Sequence, residues 1–164
     1  MTTSGCPGCG FAGGRTACQD TFDDVCLRVR ALAWTDNLKT WRLMRDVYNI
    51  QHADDFCQTY DRLVTHLGGV CWALEHGGRA QGYRALQQLV DRNPWQHEVF
   101  PPLPGLPAHR GTITVANLAH LAEPALLIAG ADRWARATWL AYASLHPLAR
   151  TWIDQAAGLT APRR

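Results

Sequence analysis

The stretch Tyr60-Asp61-Arg62-Leu63-Val64-Thr65-His66-Leu67-Gly68-Gly69-Val70-Cys71-Trp72-Ala73-Leu74-Glu75-His76-Gly77-Gly78 decides the fold class. Tyr60, Leu63, Val64, Leu67, Val70, Cys71 and Leu74 recur at three- and four-residue steps, the period of one helical face. Gly77-Gly78 then stands where a helix ends in a left-handed residue. The same period extends to both sides. Phe22, Val25, Cys26, Val29 and Leu32 predict a helix from Thr16 to near Trp34. Leu38, Trp41, Met44, Val47 and Tyr48 predict a second, with Asp36 suited to its N-cap and its end near His52. Tyr83, Leu86, Leu89 and Val90 mark a shorter one over 79–92. Further on, Thr114 caps a short helix from Val115 to Leu121. A last helix is expected to start near Asp132 and to carry Trp134, Thr138, Trp139 and Tyr142. Pro147 marks a kink or a break after His146, and Ala149 to Ala157 continues helically.

Alternation of the strand type is confined to Thr112–Val115 at most, so the fold class is all-α. We expect about four core helices plus short ones, with a Gly-rich Cys-x-x-Cys N-terminal loop packed on them. Residues 1–15 form that loop, 16–159 a single helical domain and 160–164 a frayed tail. Within the domain, 93–111 carries Pro94, Pro101, Pro102, Pro104 and Pro107, which block both helix and interior strand. It reads as an irregular connection wrapped over the bundle and held by Trp95 and Phe100, or alternatively as a mobile lid.

Composition narrows the function classes. With 164 residues and 47% hydrophobic content, the chain can bury a core without disulfides. The net charge of +2 gives no electrostatic footprint for a nucleic-acid partner. The N-terminus lacks a basic segment followed by an apolar one, and the longest apolar run, Pro124–Ala131, is short and broken by Gly130. The expectation is a cytoplasmic protein with no membrane partner, in which six cysteines serve as thiols or metal ligands. Trp41, Trp72, Trp134 and Trp139 fall on helical stripes and read as core.

The sharpest local signal is Cys6-Pro7-Gly8-Cys9-Gly10. Two thiolates two residues apart can grip one metal ion because the turn between them aims both sulfurs inward. A redox dithiol is the competing chemistry, but no strand precedes Cys6 as a thioredoxin-like motif requires. The knuckle supplies half a tetrahedral site. Cys18 is within reach, whereas Cys26 and Cys71 read as core thiols and Cys57 has no evident companion. His52 closes the second helix, where its ring can leave the helix axis, and His146 stands beside the break at Pro147. His66 borders a buried stripe and reads as a satisfied core histidine, a ligand or a general base. Asp46, mid-helix, either pairs with Arg42 one turn back or orients a histidine, and antiparallel packing brings it level with His66. His76, His97, His109 and His120 read as surface residues.

Taken together, Cys6-Pro7-Gly8-Cys9-Gly10, Cys18, Arg42-Leu43-(x2)-Asp46-(x)-Tyr48-(x2)-Gln51-His52, His66-Leu67, Leu74-Glu75-His76-Gly77, Gly111-(x2)-Thr114-Val115 and Trp134-Ala135-(x3)-Trp139-(x6)-His146-(x5)-Trp152 resemble a bacterial family of unknown function, number 5946 in the domain-of-unknown-function series. The resemblance spans Cys6 to Trp152 and implies a small stand-alone cytoplasmic protein without naming a substrate. Among positions matching the pattern, Cys6, Cys9, Cys18, His52, His66 and His146 can bind metal, with Asp46 and Gln51 as polar companions. This chain has Trp41 and Leu145 where relatives often carry histidine.

Three readings follow. In the first, zinc held by Cys6 and Cys9, with further ligands from Cys18, His52 and His146, stabilises a helical protein that binds a small molecule or a protein. In the second, the metal keeps an open position and Asp46 and His66 move protons on a small molecule, as in a metalloenzyme. The third is thiol redox chemistry at Cys6 or Cys9. The thiolates favour zinc over iron. In the first two readings, Asp46, His52, His66 and His146 converge on one polar centre beside or within the metal site.

Overall fold

A computed structural model describes residues 5–32, 34–92 and 103–160. The chain is an all-α bundle. Its elements are α1 (Gly14–Arg30), α2 (Trp34–Gln51), α3 (Ala53–Phe56), α4 (Tyr60–Glu75), α5 (Ala80–Arg92), α6 (Ala116–Ala119), α7 (Pro124–Ala141) and α8 (His146–Thr160), with a 3₁₀ turn at Ala143–Leu145 before α8. No strand occurs among the described residues.

The centre of the bundle is α2 against α4. α2 also packs on α1 and α7, and α4 on α5, α7 and α8. Leu63, Val64, Leu67 and Val70 of α4 are fully buried between these neighbours, as are Met44, Val47 and Ile50 of α2. Gly68 and Gly69 let α4 approach its partners closely. A Cβ on Gly68 would lie 3.0 Å from Trp152 Cδ1, and one on Gly69 would lie 2.0 Å from Asp46 Oδ2. α4 stops where expected. Gly77 and Gly78 take φ of 74° and 65°, and the Gly78 N–H closes onto the Trp72 carbonyl at 3.1 Å.

Several boundaries differ from the expectation. α1 ends at Arg30, and Trp34, expected near its end, opens α2, so Asp36 lies inside that helix and is not its N-cap. α7 starts at Pro124 and not near Asp132. Leu127, Gly130 and Ala131 continue the inward stripe of Trp134, Ala135 and Thr138, and a proline at the first helical position is tolerated because its missing N–H would be unpaired there anyway. His52 is followed by the single turn α3, not by a loop. Pro147 lies in the first turn of a new helix, α8. The proposed anchors Trp95 and Phe100 lie outside the described residues. In the described part of the connection, Gln51 does the holding. Its buried amide donates to the carbonyls of Arg110 (3.0 Å) and Ile113 (2.8 Å) and accepts from Trp134 Nε1 (2.9 Å). No helix among the described residues is long and apolar enough to cross a membrane.

Candidate metal centre

The N-terminal turn is built by its own hydrogen bonds. The Gly10 N–H donates to the Cys6 carbonyl and the Cys6 N–H to the Phe11 carbonyl, each at 2.7 Å. Gly10 takes φ of 78°, which a residue with a Cβ rarely adopts. The turn lies on the C-terminal end of α2. Gly8 packs so closely on the His52 ring that a Cβ there would stand 2.4 Å from Cδ2. Cys18 enters from the second turn of α1. Arg15, one turn earlier, pairs with Asp55 of α3 and ties the two elements across the rim.

Four ligand atoms converge: the sulfurs of Cys6, Cys9 and Cys18 and a ring nitrogen of His52 all lie within 4.8 Å of one another. Cys6, Cys18 and His52 are buried, and Cys9 is half-buried. His52 Nδ1 donates to the Tyr48 carbonyl at 2.8 Å. That bond leaves Nε2 as the lone-pair nitrogen of the neutral ring, and Nε2 faces Cys6 Sγ at 3.3 Å and Cys18 Sγ at 3.5 Å. The ring also packs on Tyr48, centroid to centroid at 4.1 Å. Cys9 Sγ and Cys18 Sγ stand 3.6 Å apart, too far for a disulfide.

These spacings suit a tetrahedral ion. Arms of about 2.3 Å to sulfur and 2.0–2.1 Å to nitrogen give tetrahedral edges of about 3.8 Å between sulfurs and about 3.5 Å from sulfur to nitrogen. The thiol chemistry agrees. The Cys18 thiol donating to Cys9 brings the Cys9 pKa down to about 4. The same bond, then burial and the neighbouring sulfurs, pushes Cys18 far up. The opposite directions of the two thiols describe a proton on Cys18 supporting a thiolate on Cys9, and a divalent cation would take that proton's place.

The other expected site residues lie elsewhere. The structure does not bring His146 to the four-residue group. Its Nε2 donates to the Trp139 carbonyl at 2.8 Å and its ring stacks on Trp139 at 3.7 Å. Asp46 and His66 form a separate pair, Nδ1 donating to Oδ1 at 2.8 Å. Asn49, one turn beyond Asp46, donates its amide to His66 Nε2 at 3.0 Å, so both ring nitrogens are engaged. The sequence reading did not single out Asn49, although its i+3 spacing from Asp46 places both on one helical face. Arg42 is not the partner of Asp46. Its guanidinium lies over the Tyr83 ring at 5.0 Å. The single polar centre expected from Asp46, His52, His66 and His146 is therefore three separate places. Tyr48, read only as core, supplies the carbonyl that orients His52, and the signal was its i−4 position on the same helix. Cys71, Glu75 and His76 also lie near one another, but Arg150 grips both Glu75 oxygens, at 2.7 and 2.9 Å.

Fold and site together define an all-α protein with a three-cysteine, one-histidine cluster that joins its N-terminal turn to the bundle. The model of a family of unknown function, DUF5946, matches residues 4–143, and the chain belongs to that family. The matched span contains all four clustered residues. No curated protein and no solved structure matches the chain.

Proposed function

We propose that this is a zinc-binding protein whose ion is held by Cys6, Cys9, Cys18 and His52 and serves a structural role. The observation that carries the proposal is the orientation of His52. Its Nδ1–H is committed to the Tyr48 carbonyl at 2.8 Å, and its free nitrogen faces two sulfurs at 3.3 and 3.5 Å. Three thiolates and an imidazole are soft to borderline donors, which favour zinc over magnesium or calcium and suit it better than iron in a mononuclear tetrahedron. Four protein donors fill that tetrahedron, so no position remains for substrate or water. The ion would fasten the segment 5–13, which has no helix of its own, to α1 and α2 and contribute directly to folding free energy.

Metal analysis of protein purified without chelators tests this. One zinc per chain is expected, falling to near zero in the Cys6→Ser, Cys9→Ser double variant. Cobalt substitution should give the intense visible bands of tetrahedral thiolate coordination. Full zinc occupancy in the double variant, or an octahedral cobalt spectrum, would overturn the assignment.

A further inference from the structure

A second site lies on the other side of α2. α2, α4 and α5 enclose an open cleft of about 370 Å³, within the size range of small-molecule pockets. Its lining is chemically one-sided. Arg42 and Arg45 of α2 and Arg84 of α5 face it with one carboxylate, Asp46. None of the three guanidinium groups forms a salt bridge among the described residues; Asp46 is bonded to His66 and feels Arg45 and Arg42 only at longer range. Two of them rest on aromatic faces, Arg42 on Tyr83 at 5.0 Å and Arg45 on Trp41 at 5.5 Å. Stacking of this kind leaves the in-plane N–H groups free to donate.

Tyr83 adds an independent observation. Its side chain lines the cleft and is 7% exposed, yet its hydroxyl is buried with no hydrogen-bond partner. A buried unpaired hydroxyl costs about 1–3 kcal/mol and calls for a partner. The hydroxyl lies within the fields of Asp46 and Arg42, and burial raises its pKa, so it stays protonated and can donate. The floor is rigid. Asp46 is pressed against the bare backbone of Gly69, and His66 is fixed between Asp46 and Asn49. With both its nitrogens engaged, His66 offers no free lone pair, so the arrangement is one for binding.

We propose that this cleft binds a small molecule bearing a phosphate monoester group, with Arg42, Arg45, Arg84 and the Tyr83 hydroxyl taking the phosphate and Trp41 taking the adjoining organic part. Three guanidinium groups against one carboxylate leave a net positive lining that suits a dianion better than a carboxylate ligand, and their forked donors match tetrahedral phosphate oxygens. The cleft shares no residue with the cysteine cluster, and the proposal does not rest on the zinc assignment.

Calorimetric titration of the full chain with phenyl phosphate tests the proposal, with inorganic phosphate as competitor and benzoate as the carboxylate control. The expected result is saturable binding of one phenyl phosphate per chain, displaced by inorganic phosphate and at least tenfold tighter than benzoate. Arg84→Gln should weaken it by about 10- to 100-fold, since a hydrogen bond to a charged group is lost from an exposed side chain that the fold does not need. Tyr83→Phe should weaken it about tenfold while leaving the melting temperature unchanged or higher, because it deletes only an unpaired hydroxyl. Arg62→Gln, an exposed arginine of α4 outside the cleft, should bind as the parent does. No saturable binding, equal affinity for benzoate, or equal weakening by Arg62→Gln would each overturn the proposal.

Discussion

Gly8→Ala isolates the fit between the cysteine turn and His52. Gly8 does not occupy the left-handed region, so alanine is compatible with the backbone and the effect arises from contact alone. The new Cβ would stand 2.4 Å from His52 Cδ2, 3.0 Å from Cγ and 3.1 Å from the Gln51 carbonyl oxygen. Carbon atoms settle at about 3.5–4.0 Å, so turn and ring must part by about 1 Å or more. Neither side can give easily. The ring is bonded through Nδ1 to Tyr48 and stacked on it, and α2 behind it is core. Metal–ligand distances tolerate about 0.2 Å, so a displacement of this size takes either the histidine or one cysteine off the ion. Changes beside a metal site typically cost about 10–100-fold in affinity, or about 1.4–2.8 kcal/mol. Competition against a chromophoric chelator measures this directly. Gly105→Ala is the control, because a Cβ there meets nothing within 4 Å. Zinc affinity in Gly8→Ala within twofold of the parent, with an unchanged melting temperature, would refute the reasoning.

Other perturbations test the packing around the two sites. Gly69→Ala places a Cβ 2.0 Å from Asp46 Oδ2 and should break the Asp46–His66 pair, lowering stability by about 2–3 kcal/mol in urea denaturation. Gln51→Ala removes three hydrogen bonds of a buried amide that tie the connection before α6 to α2 and α7, and should cost about 3 kcal/mol by the same assay. Cys57 and Cys71 are fully buried, and burial pushes both thiols up to about 12, so neither should be alkylated by iodoacetamide in the folded protein; mass spectrometry of labelled peptides checks this.

Much of the helical core was legible because burial leaves a periodic trace. Leu63, Val64, Leu67 and Val70 mark α4 by spacing alone, and Gly77-Gly78 ends it by conformational necessity. The start of α7 was not legible by the same means. Pro124–Ala131 is apolar on nearly every side, so periodicity cannot tell a helix from an apolar turn there, and only the proline at its first position signalled the start. Contacts made by absent atoms were equally silent. Gly8, Gly69 and Gly82 each admit a neighbouring ring or carboxylate into space that a Cβ would fill, and a glycine within a helix looks the same in sequence whether it is tolerated or required.

The site was legible in its parts and not in their grouping, and helical phase is the reason. Asp46 lies within α2 and His52 six residues on, directly after its last residue, where the His52 N–H still bonds the Tyr48 carbonyl. At about 100° per residue that is about 600°, a net 240°, so the two side chains leave the helix on different faces. Asn49, at about 300° from Asp46, stays with it, and so it is Asn49 and not His52 that completes the contacts of His66. His52 turns instead toward α1, where Cys18 and the N-terminal turn lie. For His146 the deciding element was the 3₁₀ turn Ala143–Leu145, which sets the ring against Trp139. α2 and the residue that follows it therefore serve two chemically distinct places: the His52 nitrogen at the sulfur cluster just past its end, and two arginines with a carboxylate bonded to His66 along its middle. Because the two places share one backbone, an ion held as proposed at the end of α2 would also steady the frame on which Arg42, Arg45 and Asp46 are displayed, and if both proposals hold, removing zinc should weaken phenyl phosphate binding although none of the four clustered residues lines the cleft.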